Sequence, residues 1–494
     1  LLICIEVVSG HDDSICKFDF QTDASEILRM VPTDQSHRHF HFIGICGTAM
    51  GAVAAAMKDR GYTVTGSDLN IYPPMSDFLA DKGIVITSGN GPDNIPDGVS
   101  LVIIGNAMSR GNAQLEEVLD RKIAYTSLPA LLKDEFLKGK RNIVATGTHG
   151  KTTTSSMVAH ILKFNGHDPS HMIGGIPLDL GQGGKFTDSD FFVLEGDEYD
   201  TAFFDKRSKF IHYLPEVVIV NNIEFDHADI FKDIDDIKLS FKRMLNIVPR
   251  NGIVFVNGDD SDAIEVTVEC PAPVIKVGVN DACEHRIQNM IFCSSSSSFT
   301  LNGFKYEVPM HGEFNVRNAA MAVSASLFVG LEESEIAEAL ANFSGVARRQ
   351  EFRGEESGVK IIDDFGHHPT AIGSTIDAIR QRYEGSRIWA LFEPRSNTSR
   401  RNLMQDQLES ALSKADGIFI SEVPDPEKVP SGELLNVEVV IKGLKTKGKI
   451  AFRGSDSDEI VERLIPLTEP NDVVIVLSNG GFGGIHAKLL QGLR

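Results

Sequence analysis

The chain has 494 residues, 42% of them hydrophobic and 24% charged, which predicts about three soluble globular domains, each able to bury its own core. A formal net charge of −21 excludes a general nucleic-acid footprint, and no apolar run reaches the roughly 18 to 20 residues needed to insert into a bilayer. Six cysteines (Cys4, Cys16, Cys46, Cys270, Cys283, Cys293) without a C-x-x-C pair read as reduced thiols, and a cytoplasmic location is expected.

Residues 1 to about 37 show no firm periodicity, no basic leader and no small-residue cleavage site, and are left as an unassigned leader. From His39 the pattern becomes β-α-β. "HFHFIGI" reads as a buried strand, "AMGAVAAAMKDRG" as a helix stopped by Gly61, "YTVTGSD" as the next strand, "SDFLADKG" as a short helix and "LVIIGN" as a third strand. Strands alternating with helices imply a parallel, doubly wound sheet over 38–127. Its first turn, "GICGTAMG", has the order strand, glycine turn, helix, and Asp68 ends the following strand. The spacing of Gly44, Gly47 and Gly51 does not fit G-x-G-x-x-G, so a dinucleotide fold and a nucleoside-diphosphate site both stay open.

A second unit, 128–350, begins its chemistry at "NIVATGTHGKTTTSSM". A strand runs into Gly147, Thr148, His149, Gly150, Lys151, Thr152 and Thr153, and then a helix. Backbone N–H groups of such a turn cradle phosphate, the lysine adds a positive charge and a threonine hydroxyl suits Mg²⁺. The strict phosphate-loop pattern fails at Ala145, which stands where its first glycine belongs, and Lys151 is expected on a surface loop. "DFFVLEGDEYD" and "VVIVNNIEFDH" are two more apolar strands running into acids or histidine, the edge at which open α/β sheets bind ligands. "LEGDEYD" is a carboxylate cluster at a strand end, which suits Mg²⁺, and His227 is flanked by Asp226 and Asp229. Around 270 to 310 the chain turns β-rich. Asn302-Gly303 marks a hairpin, and the serines at 294–298 read as a polar edge or loop.

The third unit, 351–494, is again α/β, with "VKIIDDF", "RIWALF", "GIFISEV" and "DVVIVLS" as strands. After the last of these come Asn479 and four glycines (Gly480, Gly481, Gly483, Gly484), then a helix. Small residues there let a ligand approach the backbone. Arg395 and Arg400 of "FEPRSNTSR" are candidate partners for carboxylates.

These segments together resemble the Mur ligase family over roughly residues 38 to 494. "GTHGKTT", "EGDEYDTAFFDKRSKFIHYLP", "HGEFNVRNAA", "DDFGHHPT", "FEPRSNTSR" and "LSNGGFGGIHAKLL" carry the likeness. The resemblance implies three domains: a Rossmann-like N-terminal domain, a central P-loop ATPase-type mixed sheet and a C-terminal Rossmann-like α/β domain. It implies an ATP- and Mg²⁺-dependent, ADP-forming amide ligase of peptidoglycan metabolism. It also resolves Ala145, because the loop of this family begins at the position of Gly147.

By motif match, the resemblance implies a nucleotide site of residues 147–153 with Asn315, Asn318, Arg349 and Asp364. It implies metal contacts from Thr152, Glu195 and His227, with Glu198 as the second choice of acid, and Lys151, Glu195 and His227 as the catalytic set. It implies a UDP-sugar site of Gly44, Gly47, Thr48, Gly51, Asp68 and Asn106. A peptide site would comprise Arg395, Asn397, Asn479, Gly480 and Gly481. The segments resemble most the branch that joins the tripeptide L-Ala-γ-D-Glu-meso-diaminopimelate to UDP-N-acetylmuramate, with the L-alanine-adding branch as the alternative.

Overall fold

The computed structural model describes residues 38–494. Cys4, Cys16 and the leader lie outside them. Among the described residues, four cysteines are free thiols and no helix is long and apolar enough to cross a membrane.

Three large sheets follow one another along the described chain, and a two-stranded hairpin, Asp200–Ala202 with Asp205–Ser208, stands apart from them. The first has five parallel strands in the order Val85–Ser88, Thr63–Asp68, His39–Ile43, Leu101–Ile104, Tyr125–Ser127. Its central strand pairs Ile43 with both Ser67 and Ile104, so Gly44, Asp68 and the turn before Asn106 emerge at one edge. The helix Thr48–Asp59 packs an alanine- and methionine-rich face on this sheet. Gly51 makes room for the start of the helix Met75–Asp81, since a Cβ there would collide with the Met75 side chain.

The second sheet has ten strands and is mixed. Seven form its core from Val274–Gly278 through Ile253–Asn257, Val217–Val220, Arg141–Thr146 and Phe191–Glu195 to Ser170–Met172 and Gly184–Lys185. The strands His285–Phe292, Ser297–Leu301 and Phe304–Val308 extend it as an antiparallel meander. The central strands are buried on both faces and read as continuous apolar runs, as a helix-covered parallel sheet requires. Asn302 and Gly303, with φ of 52° and 88°, make the expected tight hairpin. The serine run is not simply a polar edge: Ser297 is wholly buried in a strand and donates its hydroxyl to the Met310 carbonyl at 2.7 Å.

The third sheet orders Glu351–Glu356, Val359–Asp364, Val473–Leu477, Ile388–Phe392, Gly417–Ser421 and Ile450–Gly454, with only the first strand antiparallel. The first and last of these escaped the sequence reading. Their burial alternates or breaks, and charged residues interrupt the apolar run.

Register places the chemistry. Ala145 pairs with Glu195 and Thr146 with Val220, so the glycine loop, the acidic segment and the Asn221–His227 segment leave the sheet side by side. In the third sheet Asp364 and Phe392 both pair with Leu477, which brings Asp364, Arg395 and Asn479 to one edge.

Candidate active site

The phosphate-type loop is built on a strand whose Ala145 is buried in the core and whose carbonyl takes the N–H of Gly196 at 2.8 Å. A glycine has no task there; the turn begins two residues later. Gly147 has φ of 121°, and any Cβ on it would lie 2.9 Å from the Asn222 backbone. Gly150, at φ 82°, caps the helix Lys151–Phe164 and faces Asn318 and Asn221 where a side chain would stand. Hydroxyl-rich first turns are poor helix formers because their side chains compete for the backbone. Here Ser155 and Ser156 bond back to the carbonyls of Lys151 and Thr152, and burial of residues 152–162 in the core offsets that weakness.

Lys151 is not a surface residue. Its side chain is 13% exposed, and its Nζ donates to Glu198 at 3.0 Å and to the Gly147 carbonyl at 2.7 Å. Burial pushes the ammonium down, but Glu198, Asp197 and Glu195 outweigh it and raise its pKa above the ordinary lysine value. Glu195 bonds the Thr152 hydroxyl at 3.0 Å and the Gly174 N–H at 2.7 Å. Burial raises its carboxyl above the usual range despite Lys151. Glu198 is driven the other way: Lys151 and His227 overcome the burial that would raise it.

His227 sits at φ 54°, a strained conformation for a non-glycine residue. Its N–H is held by Asp226 Oδ1 at 2.7 Å, and its Nε2 meets Glu198 Oε1 at 3.1 Å. The histidine thus pairs with Glu198, the second of the two acids considered, rather than with Glu195.

The other residues expected at a nucleotide site converge on the same space. Thr148 both donates to the Glu224 carbonyl and accepts its N–H, while the His149 N–H bonds Asn222 at 2.7 Å. Asn318 and Asn315 are buried, with Asn318 bonded to Asn315 and Asn315 to the His311 carbonyl. Arg349 donates to the Thr152 hydroxyl at 3.3 Å and lies over the Phe365 ring. Asp364 takes the N–H groups of Gln350 and Gly366, and burial raises its carboxyl even beside Arg349. A cavity of about 550 Å³ is lined by residues 148–153, by Asn315, Asn318, Arg349 and Asp364, and by Arg395, Asn397 and Asn479. Gly147 shapes the turn from outside this lining.

A second cavity, of about 270 Å³, holds Gly47 and Asn106 of the first unit opposite Met172, Lys209 and Tyr213 of the second. Glu195 and Asp197 belong to both cavities, so the two meet at one acidic wall. Gly44, Thr48, Gly51 and Asp68 do not line it. Asp68 instead braces the turn by accepting the Cys46 N–H at 2.9 Å.

In the third unit, a Cβ on Gly480 would collide with the Arg395 side chain, so that glycine lets Arg395 lie across the loop. Asn479 Oδ1 is buried without a hydrogen-bond partner, and Asn397 reaches across to Asp229 at 2.8 Å. Gly481 has open space around it. Arg400 differs from the expectation: it is 9% exposed, lies 3.6 Å from Asp425 and is absent from the cavity, so it braces its own loop.

Sequence reasoning missed Asp197, whose partner Lys209 lies 2.6 Å away, and the His149–Glu224–His368 contact. Asp197 stood inside an acidic run already singled out. Burial, with His149 beside it, lowers His368 to about 4, leaving a neutral imidazole.

The residues present fit a Mg²⁺–nucleotide. The tight packing of Gly147 and Gly150 against Asn222, Asn221 and Asn318 holds the loop in its turn, Thr152 and Glu195 offer hard oxygens to the cavity, and His227 adds one imidazole nitrogen beside the buried Glu198. Glu195→Gln and His227→Asn are each expected to raise the Mg²⁺ concentration for half-maximal turnover by about tenfold. An unchanged titration in both variants removes them from the metal site.

Comparison with known proteins follows the same division. The profile described as "Mur ligase family, catalytic domain" matches residues 39–138, "Mur ligase middle domain" matches 145–326, and "Mur ligase, glutamate ligase domain" matches 348–480. The chain is 41% identical to the UDP-N-acetylmuramate–L-alanyl-γ-D-glutamyl-meso-2,6-diaminoheptandioate ligase of Escherichia coli (strain K12), covering 92% of this chain and 98% of that one. It is 32% identical to the UDP-N-acetylmuramate–L-alanine ligase of Persephonella marina, covering 92% and 97%. The crystal structure of a murein peptide ligase from Psychrobacter arcticus superposes with a TM-score of 0.67 at 34% identity, covering 92% and 98%.

Proposed function

The chain belongs to the Mur ligase family, and from that premise we infer that it is an ATP-dependent amide ligase joining L-Ala-γ-D-Glu-meso-diaminopimelate to UDP-N-acetylmuramate. This is a step of peptidoglycan recycling, and the requirement for ATP puts the enzyme in the cytoplasm. The observation that carries the reading is the pair of cavities meeting at Glu195 and Asp197: a large one around Lys151 and a smaller one around Gly47 and Asn106. We assign 38–127 to the UDP-sugar, 128–350 to the nucleotide and 351–494 to the peptide.

A carboxylate is a poor acyl donor because oxide is a poor leaving group. Bound ATP supplies the phosphoryl group, and Mg²⁺ the charge neutralisation, that convert the lactyl carboxylate to an acyl phosphate. The chain supplies position and field. Lys151, now tied to Glu198 and the loop carbonyls, is the cation that exchanges those contacts for phosphate oxygens. Thr152, Glu195, His227 and Glu198 are assigned to hold the metal. Arg349 and Asp364 close the nucleotide side, Arg349 from the segment that leads into the third sheet and Asp364 from the end of its strand Val359–Asp364.

Lys209, on the sugar side of the shared wall, is the cation that lines the smaller cavity and is assigned to the substrate carboxylate. The third unit delivers the peptide amine from the edge that carries Arg395 and Asn479. Enclosing three ligands between three units raises their effective concentration and keeps water from the activated acid.

Hydroxylamine tests the route. With UDP-N-acetylmuramate and ATP but no peptide, a muramyl hydroxamate is expected by mass spectrometry and is absent without ATP. Normal ligation with no hydroxamate at any hydroxylamine concentration speaks against a free acyl phosphate.

A further inference from the structure

One side-chain cluster in the wall of the large cavity, which includes His149 of the expected nucleotide loop, is given no chemical step in the reaction above. His149 Nε2 lies 2.9 Å from Glu224 Oε2, His368 Nδ1 lies 3.3 Å from the same oxygen, and the three ligand-type atoms fall within 4.8 Å of one another. The two imidazole centroids are 4.6 Å apart. Each residue comes from a different place: the phosphate-type loop, the segment after Val217–Val220, and the cap of the helix Pro369–Arg382 in the third unit.

We propose that His149, Glu224 and His368 form a binding site for a zinc-class transition-metal cation, separate from the Mg²⁺ site, that ties the third unit to the phosphate loop. Two imidazole nitrogens and one carboxylate are a donor set that favours Zn²⁺ over Mg²⁺. The two imidazole–carboxylate separations, 2.9 and 3.3 Å, already approach the roughly 3.3 Å between ligands about 2.0–2.1 Å from a tetrahedral ion. The outer partners are also present. His368 Nε2 faces the Phe225 carbonyl at 3.3 Å, which places the ring proton there, and the Nδ1 lone pair now accepts the Thr370 N–H at 3.3 Å, a cap contact that the ion would replace. Thr370 donates its hydroxyl to Glu224 Oε1 at 3.2 Å and so orients the carboxylate. His149, His368 and Thr370 line the large cavity, which gives the ion an entry path and leaves a fourth position for water.

The test uses the full chain with Mg²⁺ in excess, so that the magnesium site is satisfied. Calorimetric titration with Zn²⁺ is expected to show one tight equivalent in the wild type. Binding should weaken by on the order of tenfold or more in Glu224→Gln and in His149→Asn, and stay unchanged in His227→Asn. Co²⁺ in place of Zn²⁺ should give the intense visible bands of a four-coordinate ion and two hyperfine-shifted imidazole N–H signals, a wild-type readout that holds even if a variant fails to fold. The proposal is overturned if the wild type takes up no Zn²⁺ under excess Mg²⁺. It is equally overturned if Glu224→Gln binds as the wild type does, if His227→Asn abolishes binding, or if the cobalt protein shows a single imidazole.

Discussion

Lys151→Ala is expected to lower kcat by on the order of 10³-fold or more and, at the same time, to lower the thermal midpoint. The first effect follows from removing the cation assigned to the transferring phosphoryl group in a site that excludes water. The second follows from burial. Glu198 is 2% exposed, and its charge is balanced chiefly by Lys151 and His227. Removing one partner of a buried pair costs about 3–5 kcal/mol, because the other charge is left without compensation. In a unit of this size that corresponds to a drop on the order of 10 °C. The two effects separate in a double variant. Adding Glu198→Gln to Lys151→Ala should recover most of the thermal midpoint and none of the turnover. Recovery of turnover with the midpoint would make Lys151 a structural residue, and near wild-type ligation by the single variant would remove the loop from the reaction.

Arg395→Ala should raise KM for the tripeptide by roughly 10- to 100-fold and leave KM for ATP and UDP-N-acetylmuramate nearly unchanged. Arg395 is half exposed, lies 3.7 Å from Glu393 and rests across Gly480 at the mouth of the large cavity. It is a cation held in place by packing rather than by a strong ion pair, and is free to take a substrate carboxylate bidentately. A tripeptide carries carboxylates on D-glutamate and diaminopimelate that free alanine lacks. The loss should therefore be seen with the tripeptide and be small with L-alanine. A variant that weakens ATP to the same extent would show that Arg395 supports the nucleotide side instead.

The parts of this site that are contiguous in sequence were legible there. A strand, a glycine turn, Lys151 and a helix announce phosphate, and an apolar strand ending in Glu195 announces an acid at the ligand edge of a sheet. What periodicity could not give was pairing across long loops. Lys209 reaches Asp197 because the hairpin of Asp200–Ala202 and Asp205–Ser208 folds back over the acidic segment. His368 meets Glu224 only because two sheets present their edges to each other. The same limit explains the misread residues. Lys151 looked exposed because loops usually are, yet three acids and a neighbouring unit enclose it. Arg400 looked like a substrate ligand because it lies five residues from Arg395, but the chain turns it inward toward Asp425. Ser297 looked like loop because its neighbours are serines, whereas its place in the strand is fixed by pairing with Val308.

The account stands or falls on the choice of amine. The wild-type enzyme should be given UDP-N-acetylmuramate, ATP and Mg²⁺ with equal concentrations of L-Ala-γ-D-Glu-meso-diaminopimelate and L-alanine, and the two amide products counted by mass spectrometry. The tripeptide adduct is expected to exceed the alanine adduct by roughly 100-fold or more, since a site built for several polar groups rejects a substrate that leaves them unpaired. An alanine adduct equal to or greater than the tripeptide adduct would contradict the account and assign the chain to the L-alanine-adding branch of the family.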